Sequence, residues 1–281
     1  PEQMDRDLTP ILRALHGFPA PVVHYKICST FDSSPTVGSI GRAIDIGKAV
    51  FDEQTIVPLL VGVPRLQRYT VFGNHYAIYG DETHRLDRHP TMARHPVTPM
   101  DEADLRRHLA KQTTQAIGLI DIIDLDGTSE QVRQRMADRL RDDPGVLLFD
   151  VLDEPRLLRA GELIWEEALA GNRYVVGSSG IEYALIAHWQ AGGILKSEGA
   201  KLRPRGRVDR MLAVSGSCSP ITEAQIRYAL RNGYTGLMAD VPRLIDPATS
   251  DETRASLLEE AIRILDNGGS PLIYTALGPE D

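Results

Sequence analysis

Residues 21–51 read PVVHYKICSTFDSSPTVGSIGRAIDIGKAVF, and this stretch decides the fold. It predicts a short apolar strand over 21–25, a polar loop that begins at Lys26, and a helix over 40–51. Open α/β sheets bind ligands where such a loop joins the carboxyl end of a strand to a helix. The free N–H groups of the first helical turn also attract anions. The stretch therefore predicts a binding site for a small polyhydroxy anion.

The same alternation of strand and helix continues along the chain. Short apolar runs predict strands over 22–28, 55–62, 69–72, 116–121, 146–151, 174–177, 211–215, 235–238 and 272–275. Amphipathic patterns predict helices over 8–16, 40–51, 102–112, 129–141, 156–169, 181–190, 223–231 and 252–265. This order predicts an α/β fold with mainly parallel, Rossmann-like three-layer sheets. We expect no regular structure in residues 74–101.

Composition limits the classes of partner. The 281-residue chain has a formal net charge of −8 and no long basic run, which disfavours nucleic acid and anionic membranes as partners. Its two cysteines, Cys28 and Cys218, are typical of a reducing, cytoplasmic location. No Cys/His spacing matches a zinc site, and no apolar run is long enough to span a bilayer.

A basic segment, 195–210, contains Pro204 and Gly206 and predicts a linker between two units. We expect an N-terminal lobe over residues 1–205 and the beginning of a second lobe over 206–281. Pro1 is not a natural first residue, so we expect the chain to be cut at its N-terminus.

Two polar stretches carry groups that recognise sugar acids. The loop after Lys26 is rich in hydroxyl groups, which bond to sugar hydroxyls, while Lys26 itself can pair with a carboxylate or phosphate. Residues 85–100 cluster arginines, histidines and prolines and predict a second anion contact. Ordinary turn chemistry and a salt-bridged connector also explain these stretches, so the pattern alone leaves both interpretations open.

Two similar Gly/Ser turns follow predicted strands and open helices. They read VGSSGIE over 176–182 and VSGSCSPIT over 214–222. Each clusters N–H groups and hydroxyls at a helix N-terminus, as phosphate sites do. Neither contains a Walker A loop or a GxGxxG fingerprint, so neither turn alone identifies a nucleotide site.

Carboxylates follow a further predicted strand in FDVLDE, residues 149–154. Asp150 and Asp153 would suit acid–base or metal chemistry at the end of a strand. They would equally suit helix capping, and we expect Asp153 and Glu154 to cap the next helix.

Together these stretches resemble the four-carbon acid sugar kinase family. The resemblance rests on HYKICSTFDSSP (24–35), GSIG (38–41), RHPTMARHPVTPM (88–100), VGSSG (176–180), VSGSCSP (214–220) and YTALGP (274–279), in this order. It implies two α/β lobes, of which the first binds the acid sugar and the second supplies most of the ATP site. It also implies a kinase that uses ATP and Mg²⁺. The sequence leaves the oligomeric state open, with a homodimer as one assembly.

The resemblance further implies the substrate and the residues that contact it. Threonate, erythronate, 2-oxo-tetronate and branched acids of the 3-oxo-isoapionate type are the substrates of the family. Its substrate-binding positions correspond to Lys26, Ser29, Thr30, Asp32 and Ser33, and more weakly to Arg88, His89, Arg94 and His95. Its nucleotide-binding positions correspond to Ser215, Gly216, Ser217 and Ser219.

Two motifs of the family do not occur in this sequence. One is Asp-Asp-x-Thr-Gly, which carries the expected catalytic aspartate, and the other is a C-terminal Gly-rich stretch that cradles ATP phosphates. We therefore expect the second lobe to be incomplete and the chain by itself not to turn over; no catalytic residue and no metal ligand is assigned. A non-catalytic sugar-acid-binding or effector protein is one alternative. An NAD-type oxidoreductase is another, which the lack of GxGxxG disfavours.

Overall fold

The computed structural model describes residues 2–196 and 206–278. The chain divides into two units, Pro1–Gly199 and Ala200–Asp281. Most of the predicted linker, including Lys201, Arg203 and Arg205, lies outside the described residues. Pro279, the last residue of the family resemblance, also lies outside them.

The first unit is built on a five-stranded parallel sheet. Its strands are β1 (Val23–Lys26), β2 (Val57–Leu60), β6 (Ile117–Ile120), β7 (Val146–Phe149) and β8 (Tyr174–Gly177), in the order β1-β8-β2-β7-β6. Between β2 and β6 the chain forms a separate antiparallel sheet of β3 (Arg68–Val71), β4 (Asn74–Tyr79) and β5 (Glu82–Arg85). Helices of this unit are α1 (Glu2–His16), α2 (Ile40–Val50), α3 (Leu105–Leu109), α4 (Ser129–Leu140), α5 (Glu154–Leu169) and α6 (Gly180–Ala191).

The parallel sheet is buried on both faces. Successive residues of a strand point to opposite faces, so Leu59 and Leu148 join one core while Leu60 and Phe149 join another. Helices α1 and α2 contribute to the first core, and helices α4, α5 and α6 contribute to the second. The resulting helix–sheet–helix layers confirm the predicted α/β class with a mainly parallel sheet.

The second unit has a three-stranded parallel sheet. Its strands are β9 (Ala213–Ser215), β10 (Tyr234–Met238) and β11 (Ser270–Tyr274), in the order β10-β11-β9. The helices are α7 (Pro220–Arg231), α8 (Val241–Ile245) and α9 (Ser250–Asp266). Gly233 and Gly268 adopt positive φ just beyond α7 and α9, the conformation in which glycine commonly ends a helix.

The expectation that residues 74–101 lack regular structure is wrong. This segment contains β4 and β5, followed by two 3-10 turns at Leu86–Arg88 and Met92–Arg94. Its strands are rich in polar residues, so they lack the apolar run by which the other strands were predicted. Other predictions also differ from the structure: α1 begins at Glu2 rather than at Leu8, and α3 spans Leu105–Leu109 rather than 102–112. The short α8 was not predicted. No helix in the described ranges has the length and apolar character needed to cross a membrane.

Candidate functional site

The loop after β1 lies at the carboxyl edge of the parallel sheet. The N–H of Ile27 donates to the carbonyl of Gly177 over 2.8 Å, which fixes the start of the loop beside β8. Phe31 is fully buried and adopts a positive φ of 55°. This buried ring anchors the loop, so the residues on either side of it stay at the edge of the sheet.

Three side chains of this loop form a chain of polar contacts. The Cys28 thiol contacts the Thr30 hydroxyl at 3.0 Å, and that hydroxyl donates to the Asp32 carboxylate at 2.5 Å. Cys28 is exposed, while Thr30 and Asp32 are half-buried. These groups therefore offer hydroxyl-binding donors and acceptors near the surface.

Ser33 belongs to the same loop but has a different environment. It is buried, and its hydroxyl donates to the carbonyl of Phe31 and accepts from the side-chain amide of Gln112 at 2.9 Å. The ring Nε2 of His108 lies 3.1 Å from the same hydroxyl. Ser33 thus ties the loop to α3 and the residues that follow it.

Lys26 ends β1 and is exposed. Its ammonium donates to the carbonyl of Ile27 at 2.9 Å and has no carboxylate partner in the part of the chain that the structure describes. An exposed lysine with a flexible stem can turn toward an anion at this edge.

His75 joins the antiparallel sheet to the loop after β1. Its Nε2 lies 2.7 Å from the carbonyl of Ser29, and its Nδ1 lies 3.0 Å from the hydroxyl of Thr70. Complete burial lowers the pKa of His75 to about 4, so the ring is neutral at pH 7. The neutral ring therefore donates from Nε2 to Ser29 and accepts from Thr70. Sequence reasoning missed this residue because the strand that carries it was not predicted.

Asp150 follows β7 and is completely buried. Its carboxylate accepts from the backbone N–H groups of Phe72 at 2.5 Å and Gly73 at 3.0 Å. Burial raises the pKa of Asp150 to about 6. Asp150 therefore holds the turn between β3 and β4. Asp153 caps α5 by accepting from the N–H of Arg156, which confirms the predicted cap for Asp153, whereas Glu154 is the first residue of the helix.

The histidines and arginines of residues 85–100 have contrasting environments. His89 is buried, and its Nδ1 accepts from the N–H groups of Thr91 and Met92. His95 accepts from the N–H of Thr98 at 3.0 Å. Both histidines thus organise the backbone of the segment. The side chains of Arg88 and Arg94, by contrast, are exposed and have no ion-pair partner within the described ranges.

The Gly/Ser turn after β8 is packed into the interior. Ser178 is completely buried, donates to the carbonyl of Val61 at 2.6 Å and accepts from the N–H of Gly180 at 2.9 Å. A Cβ at Gly177 would lie 2.2 Å from the carbonyl oxygen of Leu60, and one at Gly180 would lie 2.4 Å from that of Gly62. These hydroxyl and glycine positions are explained by packing alone.

The Gly/Ser turn after β9 is open to solvent. Gly216, Ser217 and Cys218 are exposed, and their N–H groups have no hydrogen-bond partner among the described residues. Ser219 caps α7 by accepting from the N–H of Thr222 at 3.2 Å, and Ser217 accepts from the N–H of Ser219 at 3.3 Å. Free N–H groups and hydroxyls ahead of a 12-residue helix suit the phosphates of a nucleotide.

Two of the cavities formed by the described residues lie away from these loops. One of about 270 Å³ lies near the carboxyl end of β10 and is lined partly by Met238, Asp240 and Arg243. The other, of about 280 Å³, lies along edge strand β6, and none of the predicted site residues lines it. Within 2–196 and 206–278, no group of three or more His, Cys, Asp or Glu side chains could hold a metal ion.

Segments in both units match known protein families. Residues 1–185 match a family model described as a sugar-binding N-terminal domain, and residues 212–281 match one described as a nucleotide-binding C-terminal domain. The chain is 46% identical over 278 residues to a 3-oxo-isoapionate kinase from Paraburkholderia graminis. It is 28% identical over 260 residues to a 3-oxo-tetronate kinase from Pectobacterium atrosepticum. These alignments cover 99% and 92% of this chain but 58% of each relative.

Solved structures show the same fold. A protein from Salmonella typhimurium LT2 superposes with a TM-score of 0.70 at 25% identity, over 98% of this chain and 61% of that one. A protein from Haemophilus influenzae superposes with a TM-score of 0.61 at 23% identity, over 95% of this chain and 60% of that one.

Proposed function

We propose that this chain, which belongs to the four-carbon acid sugar kinase family, forms the substrate site and part of the nucleotide site of an ATP-dependent sugar-acid kinase. The reaction is phosphoryl transfer to a hydroxyl of a small sugar acid of the 3-oxo-isoapionate or 3-oxo-tetronate type. One observation carries the proposal. Exposed, hydroxyl-rich loops follow β1 and β9 at the carboxyl edges of both parallel sheets, within the segments that match the sugar-binding and nucleotide-binding models.

On the sugar-acid side, the accessible groups of the loop after β1 bind the substrate. The Thr30 hydroxyl and the Asp32 carboxylate orient its hydroxyls, and Lys26 attracts its negative charge. The buried Ser33 and the Ser29 carbonyl, which is bonded to His75, hold this loop in position. Arg88 and Arg94 are free to contact the anion, while His89 and His95 shape the segment that carries them.

On the nucleotide side, the turn after β9 binds the phosphates of ATP. The free N–H groups of Gly216 and Ser217 donate to phosphate oxygens, and the hydroxyls of Ser215, Ser217 and Ser219 lie in the same turn. Mg²⁺ bound to the phosphates neutralises their charge when ATP is present. Positioning and charge stabilisation dominate such a transfer, and we assign no catalytic base to this chain.

Two alternatives give different results with the same ligands. A non-catalytic sugar-acid-binding or effector protein would bind the acid but release no ADP. An NAD-type oxidoreductase would be stabilised by NAD rather than by ADP, and neither Gly/Ser turn has the spacing of a dinucleotide-binding loop. The cytoplasmic location and the homodimer stay predictions.

The test is ADP release by the complete gene product that carries this sequence, supplied with ATP, Mg²⁺ and one acid at a time. Threonate, erythronate, 3-oxo-tetronate and 3-oxo-isoapionate form the panel. We expect turnover with at least one of them. Turnover with none, together with no ligand-induced rise in Tm, would show that the kinase assignment is wrong.

Lys26→Ala locates the substrate within the first unit. We expect it to raise the KM for the acid and to leave the KM for ATP nearly unchanged, because Lys26 lies at the acid site. Lys111→Ala is the matched control, since Lys111 is also exposed but pairs with Asp101. An equal loss of affinity for both substrates would place Lys26 elsewhere in the reaction.

A further inference from the structure

Arg68 lies on the face of the antiparallel sheet that meets the loop after β1. In the register of β3 and β4, Arg68 is opposite Ala77 and Thr70 is opposite His75. Residues two apart on a strand share a face, so Arg68 lies on the same side as Thr70. On that side the pair of Thr70 and His75 reaches the Ser29 carbonyl. The register therefore places a guanidinium beside the proposed acid-binding loop.

The guanidinium of Arg68 lacks a counterion. Its Nη1 donates to the carbonyls of Leu66 at 3.1 Å and Gln67 at 3.2 Å. Its Nε is buried without a hydrogen-bond partner, and no carboxylate pairs with it in the described ranges. The side chain is half-buried, and burial lowers the pKa of Arg68 below its ordinary value.

Two other half-buried arginines of the first unit each pair with a carboxylate. Arg42 pairs with Asp5 at 2.6 Å, and Arg106 pairs with Asp104 at 2.8 Å. Both guanidiniums thus meet a carboxylate within the protein, which Arg68 does not. Arg68 therefore differs from Arg42 and Arg106 in the carboxylate partner it lacks rather than in its degree of burial.

The charge of Arg68 affects titratable groups on two segments of the first unit. Burial is the main cause that lowers the pKa of His75 and the pKa of His89, and the positive charge of Arg68 lowers both further. A thiolate at Cys28 would in turn raise the pKa of Arg68. The charge therefore acts on both segments of the proposed acid site, the loop that holds Cys28 and Thr30 and the segment that holds His89.

A half-buried cation without a partner is unfavourable until an anion reaches it. The planar guanidinium fork matches a carboxylate with two parallel hydrogen bonds, which an ammonium cannot provide. We propose that Arg68 binds the carboxylate of the sugar acid and makes the site selective for acids over uncharged polyols. This inference rests on the proposed function, because that function supplies the acid.

Ligand binding and turnover test this inference separately. Arg68→Gln removes the charge while keeping a polar side chain, Arg68→Lys keeps the charge without the fork, and Arg141→Gln changes an exposed arginine on the segment after α4. The probes are threonate, erythronate, 3-oxo-tetronate and 3-oxo-isoapionate, the uncharged polyols threitol and erythritol, and ADP with Mg²⁺. Calorimetry on the complete gene product gives each Kd, and ADP release gives KM and kcat.

We expect Arg68→Gln to weaken binding of the acids by about 10- to 100-fold, while binding of ADP and of the polyols stays unchanged. Arg68→Lys should recover part of the affinity, and Arg141→Gln should match the wild type. Circular dichroism and Tm show whether each variant is folded. If Arg68→Gln does not fold, Arg68→Lys is the variant that tests the inference. That variant must still weaken acid binding selectively.

The outcomes separate this inference from the proposed function. If the wild type turns over an acid and neither Arg68 variant changes its KM, the function stands and the role of Arg68 is wrong. If the wild type binds acids but releases no ADP, and Arg68→Gln weakens acid binding selectively, the role of Arg68 is supported and the kinase function is wrong. If the wild type binds none of the acids, both are wrong.

Discussion

The two Gly/Ser turns look alike in sequence and differ in surroundings. The turn of residues 176–180 is packed under neighbouring strands, and its Ser178 hydroxyl is fully used inside the protein. The turn of residues 215–219 is exposed, with free backbone N–H groups ahead of α7. Both carry glycines and serines between a strand and a helix, yet only the second can receive a ligand without rearrangement.

The difference shows that the residue types of a turn do not reveal its role. A serine hydroxyl bonds equally well to a buried carbonyl or to a phosphate, and a glycine serves close packing as readily as close approach of a ligand. What separates the two turns is whether other parts of the chain occupy the space around them. Substitutions that add or remove single atoms test this difference directly.

Adding one methyl group should have the largest effect. Gly177→Ala would place Cβ 2.2 Å from the backbone oxygen of Leu60, so we expect the free energy of unfolding to fall by more than about 3 kcal/mol. A Cβ at Gly216 would meet no atom within 4 Å, so the free energy of unfolding of Gly216→Ala should stay within about 0.5 kcal/mol of the wild-type value. Urea denaturation measures both variants. Equal destabilisation by the two changes would remove the contrast between the turns.

The pH dependence of stability tests the buried network of the first unit. The pKa of His75 lies at about 4 in the folded state and near 6.5 when unfolded, so its contribution is present above pH 6.5 and is lost as the pH falls toward 4. We expect the stability difference between wild type and His75→Gln to shrink by roughly 3 kcal/mol from pH 7.5 to pH 4. Urea denaturation at each pH measures it.

Asp150 also titrates in this pH range but does not affect the comparison of the two proteins. Burial raises the pKa of Asp150 to about 6, so its contribution to stability changes with pH in the opposite direction to that of His75. The contribution of Asp150 is greatest below pH 4 and is lost as the pH rises through 6. Both proteins retain Asp150, so its contribution cancels in their difference. A difference that does not change with pH would contradict the burial of a neutral His75.

Removing one hydroxyl should have an intermediate effect. Ser178→Ala leaves the carbonyl of Val61 without this donor and the N–H of Gly180 without this acceptor, so we expect a loss of about 1–3 kcal/mol of stability. Ser217→Ala removes an exposed hydroxyl and should change stability by less than about 0.5 kcal/mol while weakening ADP binding. Thermal unfolding with and without ADP compares the pair. Greater destabilisation by Ser217→Ala would reverse the proposed roles.

The smallest effect concerns the helix cap of the exposed turn. Ser219 accepts from the N–H of Thr222, and Ser219→Ala should cost about 1 kcal/mol of stability. Ser219→Asp should restore the cap but place a negative charge near the phosphates, so we expect stability to recover and ADP affinity to fall further. Calorimetry with ADP separates the two effects, and equal ADP affinity in both variants would place the phosphates away from Ser219.

The sequence predicted the parallel sheets well because buried strands need apolar runs. Residues 146–149, all apolar, became β7, and Asp153 capped the next helix as predicted. In the antiparallel sheet, β3 was predicted over 69–72, but β4 and β5 were missed because they are rich in polar residues. Their polarity is tolerated through contacts made after folding, such as His75 with Ser29.

The candidate site was predicted less completely than the fold. The sequence identified the loop of Thr30 and Asp32, but it could not show that Ser33 is buried by α3 and the residues after it while Lys26 is exposed. Arg68 carried no motif, and its importance emerges only from a strand register and a missing counterion. Such features depend on long-range contacts, which local residue patterns do not encode.

Hydrogen–deuterium exchange on the complete gene product tests the central claim most directly, namely that acid and nucleotide bind at the edges of different sheets. Exchange in the free protein is compared with exchange in the presence of Mg²⁺ and ADP alone, and with exchange in the presence of the most active acid of the panel alone. We predict that ADP slows exchange in residues 214–222 and leaves residues 26–33 unchanged, while the acid slows exchange in 26–33 and leaves 214–222 unchanged. Protection of the same segment by both ligands, or no protection of 214–222 by ADP, would contradict the account.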